Sequence, residues 1–169
     1  MTDEFPQMFR VRQQFDATPP VDVAASVADG FAAIREQLKP GMRVAVGVGS
    51  RGISNLAKVV AAVIGELKSA GAEPFILPAM GSHGAATPEG QAGLLADYGV
   101  TEASMGVPVR ASMEAGSLGQ VEGGQDVPWS REALAADGVI VINRVKPHTD
   151  FDGPMGSGLT KMLVVGLGK

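Results

Sequence analysis

The sequence predicts an α/β protein: a mostly parallel sheet with helices on both faces, in a Rossmann-like three-layer architecture. Three observations predict it. Short β-branched runs alternate with segments whose apolar residues recur at helical spacing. Most of those runs break at glycines, as strands do when they turn into loops. The chain is 45% hydrophobic and 19% charged, a balance that supports a packed core and argues against disorder.

In order along the chain, residues 8–15, "MFRVRQQF", alternate loosely between apolar and polar and predict an edge strand. Val23, Val27, Phe31, Ile34 and Leu38 then recur at helical spacing up to the stop "KPGM". Met42 to Val48 reads as a buried strand. After "GVGSRGISN" come Leu56, Val59, Val60, Val63, Ile64 and Leu67, the stripe of an amphipathic helix, with Gly71 as its C′ residue. "EPFILPAM" is the next strand, broken at "GSHG". Thr87 and Pro88 read as N-cap and N1 of a helix to about Tyr98, closed by Gly99. Between residues 100 and 129, "VPVRASM", "LGQVE" and "DVPW" predict short strands. Ser130 caps a short helix, "REALAAD", and Val139–Ile142 forms a strand. The closing "GLTKMLVVGLG" fits either a helix start or a strand. No repeat or linker divides residues 1–169, so one domain is expected. It stops on an apolar stretch, so a piece of a longer protein is expected.

Composition excludes several classes. A net charge of −4 with no basic block argues against a nucleic-acid partner. The absence of cysteine removes disulfides, thiolate metal sites and a cysteine nucleophile. No apolar run reaches the roughly 18 residues of a membrane span, and "MTDEFPQMFRVRQQF" is no signal peptide, so a cytoplasmic protein is expected.

Three strands, 42–48, 73–79 and 138–143, deliver the loops "GSRGISN", "MGSHGAAT" and "NRVKPHTDFDGPMGSG" at their carboxyl ends. Ligands bind outside those strand ends in open α/β sheets. The loops hold both histidines of the chain, with Arg51, Lys146 and the hydroxyls of Ser50 and Ser82. "GVGSRG" lacks the third glycine of a dinucleotide fingerprint and the lysine of a P-loop. Arg51 is either a fork for a carboxylate or phosphate or the partner of a surface acid. His83 lies between small residues in "GSHG", and His148 follows Pro147 at a strand end, where Asp150 or Asp152 could bond it. Two imidazoles suit proton transfer in both directions at neutral pH. They also suit a metal, if carboxylates complete the set. Lys161, past the glycine loop that ends at Gly158, is either an anion-holding or nucleophilic amine or a solvated helix lysine. Met80, Met155 and Met162 read as pocket lining, and Tyr98 and Trp129 as packing residues.

"GSRGISN", "PAMGSHGAATPEGQ", "VINRVKPHTDF" and "SGLTKMLVVGLGK" together resemble the N-terminal domain of the nickel-dependent lactate racemase family, from about residue 40 onward. That resemblance implies racemisation or epimerisation of 2-hydroxy acids with a nickel pincer nucleotide tethered through a lysine. It implies His83 and His148 as the acid/base pair on opposite faces of the substrate, while hydride moves to the cofactor ring and back. Arg51 then holds the substrate with Ser50 and Ser82, and Lys161 is the tether, with Lys146 and Gly158 also on the cofactor. The pattern departs at Val48, where the family's enzymes have an aspartate, and in a longer glycine loop before Lys161. No histidine follows Lys161 to supply the nickel ligand. The cofactor and activity are therefore expected only in a complete protein with a C-terminal domain, with room for a homo-oligomer. Two other readings stay open: an anion- or nucleotide-binding domain without nickel chemistry, and a metal-assisted lyase or hydrolase using both histidines with Asp150 or Asp152.

Overall fold

A computed structural model describes residues 7–16, 18–50, 52–146 and 158–169. Its centre is a parallel sheet of three strands, β1 (Arg43–Val48), β2 (Glu73–Pro78) and β5 (Gly138–Ile142), in the order β2-β1-β5. β1 pairs with both neighbours, Val46 opposite Ile76 on one side and Ile140 on the other. The α/β class and parallel sheet are as the sequence predicts, though three strands do not by themselves define a Rossmann order.

The period of two divides the strand side chains between two cores. Val44, Val46, Val48, Ile76, Ile140 and Ile142 face a large cluster. There they meet α2 (Leu56–Ser69), which buries Val60, Val63, Ile64 and Leu67, and α1 (Val23–Ala32), which buries Phe31. Leu77, Ala79, Val139 and Val141 face a smaller cluster with Ala133 of α5 (Arg131–Leu134), Met162 and Leu167. The antiparallel hairpin of β3 (Ala115–Gln120) and β4 (Asp126–Ser130) brings Trp129 to the same side.

Both longer helices after the strands end in glycine caps. Past α2, Gly71 at φ +80 sends its N–H to Lys68 O while Ala72 N–H reaches Leu67 O. That is the Schellman pattern expected of a C′ glycine. α3 (Pro88–Asp97) starts at Thr87, whose side chain accepts from Gly90 N–H, and ends with Gly99 at φ +78. A short α4 (Glu102–Met105) carries a capping box between Thr101 and Ser104.

Three expectations need correction. Residues 7–16 form no strand, and Met8, Phe9, Val11 and Phe15 are 79–97% exposed. An edge strand needs a ladder, and no described segment offers one there. The first helix ends at Ala32, and a 3₁₀ turn over Arg35–Gln37 brings Ile34 and Leu38 back against the core. "VPVRASM" makes only one bridge, Val109 to Ile76. Pro74 and Pro78 flank Ile76 on the same edge of β2 and lack the N–H that would extend the ladder. Of the two forms left open for the closing segment, it takes the helix, α6 (Leu159–Lys161) widening into a π turn over Met162–Gly166. No helix of the described residues is long and apolar enough to cross a membrane.

Candidate functional site

β1 is the strand where the chain order reverses: β2 lies on one side and β5 on the other. In open parallel sheets such a switch point leaves a crevice beyond the carboxyl ends of the strands. A cavity of about 300 Å³ lies there. The loop after β1 contributes Gly49, Ser50 and Ile53, the loop after β2 Ala79, Met80, Ser82 and His83, and the segment after β5 Asn143, Arg144 and Lys146. Gly158, Lys161, Met162, Val165 and Gly166 close it from the C-terminal helix.

Each loop is shaped by short-range chemistry. Gly49 continues the sheet, its N–H donating to Ile142 O at 3.0 Å, and a β-carbon there would press on Met162 Cε at 3.3 Å. Gly81, at φ +59, turns the chain out of β2, and a β-carbon on it would lie 2.9 Å from Val165 Cγ1. Beyond His83, Gly84 packs against Gly90 of α3 so closely that a β-carbon on either would overlap the other's backbone. Ala85 and Ala86 both take left-handed conformations, φ +56 and +53. Non-glycine residues reach that region at a cost of roughly 1–2 kcal/mol each, so strain is concentrated beside His83.

Side chains behind the loops hold them from the core side. Gln91, fully buried, donates through Nε2 to Gly81 O at 2.7 Å and to His83 O at 3.4 Å. Its Oε1 accepts from Lys169 Nζ at 3.4 Å, and the same amine donates to Pro78 O at 2.9 Å. Burial lowers the Lys169 amine below its ordinary range. Tyr98 Oη donates to Ser50 O at 2.7 Å. In front of that carbonyl, Ser50 Oγ lies 2.5 Å from Nδ1 of His83.

Of the residues singled out from the sequence, Ser50, Ser82, His83, Lys146, Gly158 and Lys161 line one cavity. Met80 and Met162 line it too, as expected of pocket residues. Arg51, His148, Asp150, Asp152 and Met155 lie outside the described residues. Tyr98 and Gln91 were missed as parts of the site. A tyrosine hydroxyl near a core wants a polar partner, which was the available signal for Tyr98. Gln91 had none beyond a polar side chain on the weakly amphipathic α3. Trp129 packs as expected against the smaller core cluster.

The donor set of the cavity limits the groups it could hold. Two amines, Lys146 and Lys161, line the cavity, with the backbone of Gly158 beside them. That arrangement suits an anionic nucleotide. Among the described residues no group of three or more histidine, cysteine or carboxylate side chains could hold a metal ion.

The lactate racemase N-terminal domain family matches residues 17–168, so the chain belongs to that family. No curated protein and no solved structure matches it.

Proposed function

We propose that this member of the lactate racemase N-terminal domain family is the proton-transfer half of a 2-hydroxy-acid racemase or epimerase. The observation that supports the reading is that His83 and Lys161 line the same cavity, one on the β2 loop and the other on the C-terminal helix. Inversion at a carbon needs a proton carrier on each face of the substrate. In this reading His83 takes or returns the hydroxyl proton on one face and His148 does so on the other. Arg51 holds the substrate carboxylate with two parallel hydrogen bonds, which fixes the reacting carbon between the imidazoles. Ser50 and Ser82 line the substrate's part of the cavity.

Lys161 is the attachment point for a nickel pincer nucleotide, with Lys146 and the Gly158 backbone beside its anionic groups. That cofactor, when bound, supplies a hydride acceptor and donor. The nickel ligands and the second wall of the cleft come from a C-terminal domain of the same protein, and the isolated chain is inactive. The substrate is a small 2-hydroxy acid, in the cytoplasm.

Two measurements test this. Intact mass of the full-length protein, produced together with the pincer-nucleotide biosynthesis enzymes, is expected to show an adduct that Lys161→Ala abolishes. An unmodified protein would indicate instead an anion-binding domain without nickel chemistry. In the loaded protein, His83→Ala and His148→Ala are each expected to reduce racemisation by roughly 10²–10⁴-fold with unchanged melting temperature. Retained racemisation in either variant would sink the two-histidine scheme.

A further inference from the structure

We propose that Ser50 is a positioning residue that fixes the tautomer of His83, and that Tyr98 holds Ser50 in place for the task. The proposal rests on the reading of His83 as a proton carrier. Ser50 Oγ approaches Nδ1 of His83 to 2.5 Å, closer than an ordinary hydrogen bond between a nitrogen and an oxygen. Ser50 is only 8% exposed, and its carbonyl is tied to Tyr98 Oη, so the hydroxyl reaches the imidazole from an anchored backbone.

A hydroxyl both donates and accepts, so this contact has two forms. If Oγ–H donates to Nδ1, the neutral ring carries its proton on Nε2 and has no lone pair there to act as a base. If Nδ1–H donates to Oγ, Nε2 keeps its lone pair. The ring can then gain and lose a proton at Nε2 without breaking its bond to Ser50. Only the second form serves a group that acts as a base in one direction and an acid in the other.

The neutrality of Ser50 matters as well. A carboxylate at this place would orient the ring equally well but would favour the imidazolium and hold its proton. A reaction that runs both ways is better served by a partner that orients without favouring either protonation state. A hydroxyl does that, and its own proton turns away from the ring.

The test reads the tautomer directly and needs no turnover. The chain has two histidines, so ¹⁵N spectra of the imidazoles are assigned with the single variant His148→Gln. Neutral His83 is expected mainly in the Nδ1–H form. Ser50→Ala is expected to move the tautomer ratio about fivefold toward the Nε2–H form that free imidazole side chains prefer, the effect of one ordinary hydrogen bond. Ser50→Thr, which keeps a hydroxyl, should restore the original ratio. An Nε2–H form in the unaltered protein, or an unchanged ratio in Ser50→Ala, overturns the proposal. If Ser50→Ala fails to fold, the unaltered spectrum and Ser50→Thr decide it. A failed tautomer test with racemisation still lost in His83→Ala removes the positioning role alone. Racemisation retained in His83→Ala removes the acid/base reading whatever the tautomer.

Discussion

The two walls of the cavity are built to different tolerances. The wall formed by the loops after β1 and β2 is held from behind by hydrogen bonds from Tyr98 and Gln91 and by the backbone contact of Gly84 with Gly90. The facing wall, on the C-terminal helix, is anchored along the cavity by apolar packing: Met162 and Leu167 bury themselves against Leu77, Ala79 and Ala133. Among the described residues it is tied by hydrogen bonds only past the helix, at Leu167 O and Lys169 Nζ. Its outer residues Leu159, Leu163 and Val164 stay 41–67% exposed. Directional bonds fix angles, whereas apolar contacts fix only proximity. A proton carrier loses rate when misplaced by about an ångström. A lysine on a flexible four-carbon stem absorbs such an error. The first wall holds His83 and the second Lys161, so under the proposed roles each residue sits on the kind of support its task would need.

That contrast is broken most forcefully at Leu167, which is fully buried. Leu167→Ala should cost about 3 kcal/mol in denaturant unfolding, the range of large-to-small core changes. If the walls are independent, the imidazole spectrum of His83 stays as it was while labelling of Lys161 by an amine-reactive probe changes. A shift of the His83 resonances would show that the walls move together. Gln91→Leu attacks the other wall. It keeps the volume but strips the donor from two carbonyls and should cost about 2 kcal/mol. Faster amide exchange confined to the segment around His83 would match the contrast, and uniform acceleration across the sheet would contradict it.

Much of this arrangement was legible in the sequence, and the illegible parts share a cause. The stripe from Leu56 to Leu67, the Thr87–Pro88 start and the glycine stops at Gly71 and Gly99 are local signals, and each appears where expected. The grouping of Ser50, Ser82, His83 and Lys146 followed from strand ends that point the same way in a parallel sheet, while Lys161 joined them only through the family resemblance. What failed depends on partners distant in the chain. Residues 8–15 alternate like a strand, but alternation cannot supply a neighbour to pair with. "VPVRASM" was limited by Pro74 and Pro78, more than 25 residues earlier. The bond from Tyr98 to Ser50 spans 48 positions and leaves no trace in either local pattern.

Tyr98→Phe sharpens the contrast at lower cost. Removing one hydroxyl should lower stability by about 1 kcal/mol. The tautomer ratio of His83 should move part of the way that Ser50→Ala moves it, because Ser50 keeps its hydroxyl but loses an anchor. No movement of the ratio would place the precision of this wall in Gln91 and the glycine contact alone.

The smallest effect is expected at Lys169, where the pinned wall meets the C-terminal segment. Its amine donates to Pro78 O and Gln91 Oε1, yet burial lowers its pKa from 10.5. In the folded chain the charged form is disfavoured relative to the unfolded chain, which keeps its proton to higher pH. Stability should therefore rise with pH through the window between the lowered value and 10.5, and fall back as pH drops through the lowered value. Lys169→Met removes that slope. It also trades two hydrogen bonds for relief of the desolvation penalty, so at neutral pH the net change should be smaller than for Tyr98→Phe. Unfolding midpoints of both proteins across the alkaline range measure the slope. A slope that survives in Lys169→Met would assign it to another group and leave the Lys169 amine a minor support of Gln91.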